Sequence, residues 1–148
     1  MPSTSTPPSW WQPAYRGGRL ERLEIDECRR LLVSTNVGRL GYSTEHEQRI
    51  VPMNYDLAGD HVVFRTSSEN EVARAVPGRS VAFEVDTFDS FLQAGWSVLV
   101  SGTAEELPPE SLRAMDVDET PEPWASGVRP LYLRISLARI SGRRVHPV

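Results

Sequence analysis

Residues 51–68 read VPMNYDLAGDHVVFRTSS, two extended runs separated by a short polar break. The break, Ala58-Gly59-Asp60, is typical of the tight connection between the two strands of an antiparallel hairpin. The second run ends on Arg65 and three residues that carry hydroxyl groups, Thr66, Ser67 and Ser68. The stretch therefore predicts a β-hairpin that presents a cation and three hydroxyls where its second strand ends.

Further extended runs flank this hairpin. Residues 80–86 alternate, with Val81, Phe83 and Val85 on one face and polar or small residues on the other. The predicted strands are 37–43, 49–57, 61–66, 80–86, 96–107 and 131–145. Six strands at short spacing, with few helices between them, predict a mainly β fold, a six-stranded antiparallel split barrel with short flanking helices.

Three helical segments and one loop complete the pattern. In residues 23–36, Cys28, Leu31 and Leu32 recur at helical spacing and predict one amphipathic helix with a buried stripe. Residues 69–76 and 109–115 predict two shorter helices. Residues 116–130 are acidic and rich in proline and predict a loop, whose Trp124 we expect to pack on the barrel.

The chain of 148 residues fits one folded domain, which we expect to span 19–148. Residues 1–18 are rich in Pro, Ser and Thr and predict a flexible N-terminal arm. Trp10 and Trp11 within this arm are expected either to anchor it on the surface of the domain or of a partner subunit, or to form a lid over a ligand.

Charge and hydropathy narrow the functional classes. The net charge of −4 argues against a general nucleic-acid binder, which needs an excess of basic side chains. No apolar stretch approaches the roughly 20 residues that cross a bilayer, and the N-terminus lacks the pattern of a secretory signal. We therefore expect a cytoplasmic protein with no membrane partner.

The common catalytic sets are missing from the sequence. Cys28 is the single cysteine, so neither an intramolecular disulfide nor a cysteine-rich metal site is expected. His46, His61 and His146 are scattered and belong to no metal-binding or nucleophile motif. We expect no metal, and no residue is assigned as a general acid or base.

The cluster after the hairpin offers a different chemistry. The guanidinium of Arg65, the following hydroxyls and the start of the next helix are three kinds of anion ligand, which together suit a phosphomonoester. Two simpler interpretations remain open: Ser-Ser before a helix is ordinary N-capping, and Arg65 could pair across strands with Glu84.

The order of these elements resembles that of the split-barrel flavin-binding proteins related to pyridoxamine 5′-phosphate oxidase, and among them the small actinobacterial members. The resemblance runs from Leu23 to Val145. The motifs that carry it are LLVSTNVGRLGYS (31–43), VPMNY (51–55), VVFRT (62–66), VAFEVD (81–86), GWSVLVSGTAEEL (95–107) and PLYLRISLARISGRRV (130–145).

This resemblance implies a homodimer with two equivalent FMN sites at the subunit interface and an oxidoreductase acting on a small or conjugated substrate. It implies that the phosphate is bound near the end of the hairpin and that the ring lies along the preceding strand, with the GWSV segment reaching the pocket from the partner chain. The implied cofactor-binding residues are Pro52, Met53, Asn54, Tyr55, Phe64, Arg65, Thr66, Ser67, Ser68, Arg74, Trp96 and Ser97.

Several of these residues have a plainer interpretation. Tyr55 and Trp96 could be core or interface aromatics, Asn54 could cap a strand end, and Met53 could simply pack. Arg143 and Arg144 are the nearest candidates for a second, substrate phosphate site, but they read more simply as a solvated tail.

One position departs from the family pattern. Glu71 stands where such relatives commonly carry a lysine that neutralises the phosphate, and Arg74 is the nearest residue that could compensate. Two alternatives to an FMN enzyme follow. One is a deazaflavin-dependent reductase that uses Arg16, Arg19 or Arg74 for a longer acidic tail. The other is a non-catalytic binding or regulatory module that has lost its phosphate site and binds no cofactor.

Overall fold

The structure, a computed structural model, describes residues 17–116 and 119–148. These residues form a mostly β fold with three short helices. In chain order the elements are β1 Leu20–Arg22, α1 Ile25–Val33, β2 Val37–Ser43, β3 Gln48–Ala58, β4 His61–Thr66, α2 Glu71–Ala75, β5 Ser80–Asp89, β6 Ala94–Glu106, α3 Pro109–Ala114, β7 Leu131–Ser136 and β8 Ile140–Val145.

Six of the strands close into an antiparallel barrel, as the sequence predicts. Their order around it is β6, β5, β2, β3, β4 and β7, and β7 pairs back with β6. The remaining two strands extend the sheet outside the barrel, because β8 also pairs with β6 and β1 pairs with β8. The predicted hairpin is the β3–β4 pair, in which Ala58 is opposite His61.

The barrel interior is filled by the alternating side chains of its strands. Val81, Phe83 and Val85 all point into the core, as their alternation predicts. The ring of Phe83 lies 5.2 Å from that of Tyr55, edge to face, and 6.2 Å from that of Phe64. Such aromatic contacts add to the free energy gained from burial and fix the relative positions of β3, β4 and β5.

The last extended run, 131–145, is two strands rather than the single one expected from its length. Its two halves pair with different parts of β6: β7 with residues 104–106 and β8 with residues 95–100. The turn between them is anchored by Leu137, which is buried and whose backbone N–H donates to the Asp60 carbonyl. The turn is therefore held by tertiary contacts that periodicity cannot reveal.

Helix α1 packs its predicted stripe on the sheet extension. Cys28 and Leu32 are buried, and Gly142 of β8 lies directly beneath Cys28. A Cβ atom at position 142 would lie only 2.6 Å from the Cys28 sulfur, so glycine is needed there for the helix to approach.

Two expectations concern parts of the chain that the structure does not describe or test. Trp10, Trp11 and Arg16 lie outside the described residues. The division into an arm of residues 1–18 and a domain of 19–148 stays a prediction. Within 17–116 and 119–148, no helix is long and apolar enough to cross a membrane.

Candidate functional site

Four of the predicted cofactor-binding residues line one cavity of about 110 Å³: Pro52, Met53, Asn54 and Arg65. The register of the hairpin brings them together. Because Tyr55 is opposite Phe64, Asn54 and Arg65 lie next to this pair at the same end of the hairpin. The opposite wall is formed by residues 121–130, PEPWASGVRP, which we call the proline loop.

Arg65 presents its guanidinium at this cavity. It lies over the Tyr132 ring, 4.7 Å from the centroid, and its Nε–H donates to the Arg129 carbonyl at 3.2 Å. Among the described residues, the ion pairs do not include Arg65. The alternative of a salt bridge from Arg65 to Glu84 is wrong, because Glu84 pairs instead with Arg39, at 3.3 Å.

Asn54 connects the hairpin to the proline loop. Its side-chain Oδ1 accepts the backbone N–H of Trp124 at 3.0 Å, and its Nδ2 donates to the Asn36 carbonyl at 3.5 Å. Trp124 does not pack on the barrel as expected, since 73% of it is exposed. The loop is held here by its backbone, and the indole is left in solvent.

Arg129 organises the proline loop from within. Its Nη1 donates to the carbonyls of Ala125, Ser126 and Gly127 at 2.8, 2.9 and 3.3 Å. Gly127 has φ of +111°, a backbone conformation that residues other than glycine rarely adopt. Arg129 thus fixes the loop with its side chain and binds Arg65 with its carbonyl.

Sequence reasoning missed Arg129 and Tyr132 as parts of this site. Arg129 lies within the predicted loop of residues 116–130 and Tyr132 just after it, and their contact with Arg65 depends on the pairing of β4 with β7. The one local signal is Gly127 two residues before Arg129, in a loop rich in proline, which is typical of an ordered turn.

Three of the predicted residues are buried inside the barrel: Tyr55, Phe64 and Thr66. The Tyr55 hydroxyl donates to the Leu32 carbonyl, and burial raises its pKa. The Thr66 hydroxyl oxygen accepts an N–H of Asn70 at 2.6 Å. Any contact of Tyr55 or Phe64 with a cofactor must therefore come from the backbone, and a role of the Thr66 hydroxyl in binding phosphate stays a prediction.

The two serines lie in the turn between β4 and α2. Neither caps the helix: the N-cap is Asn70, whose Oδ1 accepts the N–H of Ala73 at 2.9 Å. Ser67 instead accepts the N–H of Glu69 at 3.3 Å, and Ser68 is exposed. The capping interpretation of Ser67-Ser68 is therefore wrong, and both hydroxyl protons can still be donated.

Arg74 and Glu71 belong to a second, larger pocket of about 590 Å³ that also includes Arg79. The Glu71 carboxylate accepts the Tyr42 hydroxyl at 2.7 Å and the Nε–H of Arg49 at 3.1 Å. The Tyr42 bond, aided by Arg49, lowers the pKa of Glu71, while burial and this carboxylate raise the pKa of Tyr42 to about 12. The Glu71 carboxylate is thus hydrogen-bonded to Tyr42 and Arg49 and does not line the Arg65 cavity.

Trp96 and Ser97 lie on β6, away from both pockets. Trp96 is half-buried, packs against the core cluster and is opposite Arg144 of β8. Ser97 lines a pocket formed by β6, β8 and residues 22–25. In one chain these two residues do not join the cavity at Arg65, so their predicted role depends on a second chain.

The reactive side chains elsewhere in the described part of the chain form no catalytic arrangement. Cys28 is fully buried, and this burial raises the pKa of its thiol, which keeps it protonated. Burial lowers the pKa of His61 and favours the neutral imidazole. Within the described ranges, no group of three or more His, Cys, Asp or Glu residues could hold a metal ion.

The sequence matches the model of one protein family and one relative in Mycobacterium tuberculosis. The model of the family described as pyridoxamine 5′-phosphate oxidase matches residues 24–144. The uncharacterized protein Rv0080 of Mycobacterium tuberculosis is 30% identical over 129 residues, which cover 83% of this chain and 84% of that protein.

Two solved structures of similar fold are those of FAD-binding proteins. A FAD-binding protein from Mycobacterium smegmatis is 30% identical, with a TM-score of 0.74 over 85% of this chain and 98% of its own. A FAD-binding protein from Mesorhizobium loti is 25% identical, with a TM-score of 0.66 over 86% and 98%.

Proposed function

Because the chain belongs to the pyridoxamine 5′-phosphate oxidase family, we propose that it is a flavin-dependent oxidoreductase with FMN bound between the two subunits of a homodimer. The substrate is a small or conjugated molecule. The isoalloxazine, when bound, supplies the hydride chemistry, and the protein supplies binding, orientation and exclusion of water.

The cavity around Arg65 is the observation that carries this proposal. It combines an arginine that no described carboxylate neutralises with an amide side chain and two apolar residues, Pro52 and Met53. Flavin has the matching parts: an anionic phosphate, a pyrimidine edge with donors and acceptors, and an apolar ring face. The donor set therefore fits the cofactor.

Each residue has a distinct task in this scheme. The Arg65 guanidinium, held in place by Tyr132, donates N–H groups to an anionic or carbonyl oxygen. The Asn54 amide can donate and accept at a ring edge. Pro52 offers apolar surface, which favours the ring over water, and Met53 borders the cavity from its place against the core cluster.

A homodimer is supported by the outer face of the barrel next to the cavity. Neighbouring strands pair Pro52 with Arg39, Arg39 with Glu84, and Glu84 with Leu99. These four residues therefore form one row across the sheet. In a parallel row Ile50, 75% exposed, is opposite Gly41. Arg39 pairs with both Glu84 and Asp86, so the arginine on this face already has carboxylate partners.

The position of this face relative to the cavity supports a shared site. Pro52 belongs both to the row and to the cavity lining. A second chain seated on the face would therefore border the pocket and could contribute Trp96 or Ser97, as the family resemblance implies.

FAD is a second candidate cofactor, favoured by the similarity to the FAD-binding protein of M. smegmatis. FAD contains the whole of FMN, so the same contacts apply, and the adenylate would need additional room. The pocket that contains Arg74 and Arg79, about 590 Å³, offers cationic side chains for a second phosphate.

The test is to denature freshly purified protein and identify the small molecules released by mass spectrometry. We expect FMN, or FAD for the second candidate, with absorbance of the native protein near 370 and 450 nm. Colourless protein that takes up neither flavin in a titration contradicts the proposal and favours a non-catalytic module.

A further inference from the structure

The proline loop uses the same groups that the proposed cofactor needs. The Trp124 N–H occupies Oδ1 of Asn54, and the Arg129 carbonyl occupies the Nε–H of Arg65. Each of these groups is a hydrogen-bonding partner that a flavin would have to share or displace.

The space behind the loop is also too small for the cofactor. The cavity has a volume of about 110 Å³. Ligand pockets generally measure roughly 300–1,000 Å³. Four of the lining residues, Pro121, Pro123, Ala125 and Arg129, belong to the loop, so moving the loop is the direct way to enlarge the cavity.

The loop is built to move as a unit. The three hydrogen bonds from Arg129 to carbonyls 125–127 lie within the loop and give it internal structure. Pro121 at its start is buried, but most of the side chains after it are exposed, with Trp124 at 73% and Val128 at 83%, so beyond Pro121 little apolar contact resists displacement. Losing the contacts to Asn54 and Arg65 would release the loop and keep its turn.

From these contacts we infer that the proline loop is a strap that closes the flavin pocket and competes with the cofactor for Asn54 and Arg65. This inference rests on the proposed function. Only molecules with an open strap bind flavin. The apparent association constant is therefore the intrinsic one multiplied by the open fraction. Weakening the strap therefore tightens flavin binding and speeds flavin entry.

The experiment removes one hydrogen bond of the strap without touching the predicted binding residues. Trp124→Pro lacks the N–H that Asn54 accepts, and Trp124→Ala is the matched control that keeps this N–H and loses a comparable amount of side chain. The measurements are the dissociation constant of FMN and its association rate by stopped-flow fluorescence. Circular dichroism and the melting temperature report folding.

We expect Trp124→Pro to bind FMN about twofold to tenfold more tightly and faster than Trp124→Ala, the range of one net hydrogen bond. Equal or weaker binding by Trp124→Pro overturns the strap. If Trp124→Pro does not fold, Arg129→Gln, which loosens the turn, takes its place with the same expectation.

Failure of the proposed function gives a different result. In that case wild-type protein and all variants bind no FMN, and the role of the loop as a strap falls with it. Binding by wild type with no difference between the variants refutes the strap alone.

Discussion

At the level of single residues, Arg65 is held by uncharged neighbours, which leave its positive charge available for binding an anion. The Tyr132 ring and the Arg129 carbonyl hold its guanidinium, and neither neutralises it. A cation positioned in this way can bind an anion strongly, because it does not first have to leave a carboxylate.

Arg65→Ala should weaken FMN binding by about 1.5–3 kcal/mol, the usual range for a charge-assisted hydrogen bond. Arg74→Ala is the informative control, because Arg74 lies in the other pocket. Fluorescence titration with FMN measures both variants. A larger loss for Arg74→Ala than for Arg65→Ala would place the phosphate in the pocket with Glu71.

Glu71 contributes to stability through its bonds to Tyr42 and Arg49. The Tyr42 bond lowers its pKa in the folded protein. A group whose pKa is lowered by folding stabilises the protein above its ordinary pKa, and this contribution disappears as the pH falls through the lowered value.

Glu71→Gln should therefore reduce the free energy of unfolding at pH 7, and this effect should shrink as the pH falls below the ordinary pKa of a glutamate. Urea unfolding at a series of pH values measures this difference. Glu110→Gln on α3 is the control, because Glu110 is exposed and forms no ion pair among the described residues. A difference between wild type and Glu71→Gln that stays constant with pH would show that the charge of Glu71 is not involved.

At the level of elements, the contact of α1 with β8 depends on the absence of a side chain. Gly142 leaves room for the Cys28 sulfur, and a Cβ atom there would also lie 3.1 Å from Leu23 Cδ1. The helix thus packs on the sheet extension at a distance that only glycine allows.

Gly142→Ala should destabilise the protein by about 1–3 kcal/mol, the cost of overpacking a core. Gly102→Ala, whose Cβ would meet its nearest neighbour at 3.4 Å, should cost less. Adding Cys28→Ala to Gly142→Ala should restore part of the loss by removing the sulfur. Thermal unfolding compares the four proteins, and a full-sized loss in the double variant would point to backbone strain instead.

The elements differ in how far the sequence reveals them. The alternation of Val81, Phe83 and Val85 predicts β5 correctly because a half-buried strand imposes period two on its residues. The division of residues 131–145 into two strands depends on pairing with two parts of β6, and that partner is distant in the chain.

The candidate site shows the same limit. The hairpin places Asn54 and Arg65 together, and their local sequence is sufficient to predict it. The bonds from the proline loop to these residues span 70 and 64 positions, so no local pattern signals them. Trp124 is expected on the barrel, but its backbone rather than its indole makes the contact.

At the level of the whole molecule, the row of Pro52, Arg39, Glu84 and Leu99 is the face that we propose to meet a second copy. Ile50, beside this row, is largely exposed in one chain. Ile50→Glu would place an unpaired carboxylate in the interface, which is costly to bury.

We expect Ile50→Glu to weaken the dimer more than tenfold, the effect of about 1.4 kcal/mol, and to lower FMN binding with it. Val33→Glu is the control, because Val33 is 72% exposed at the end of α1 and away from this face. Sedimentation velocity over a dilution series measures the association. A wild type that stays monomeric at all concentrations would contradict both the dimer and the shared site.

Strand β6 is the one that pairs with β5, β7 and β8. It therefore takes part in closing the barrel and also carries the extension, together with the helix packed on it. Opening β6 would break contacts in all of these parts at once, whereas displacing the proline loop would break its bonds to Asn54 and Arg65 and leave the strand pairing in place. In deuterated water, the amides in the middle of β6 should consequently be among the last in the molecule to exchange, and those that secure the loop among the first.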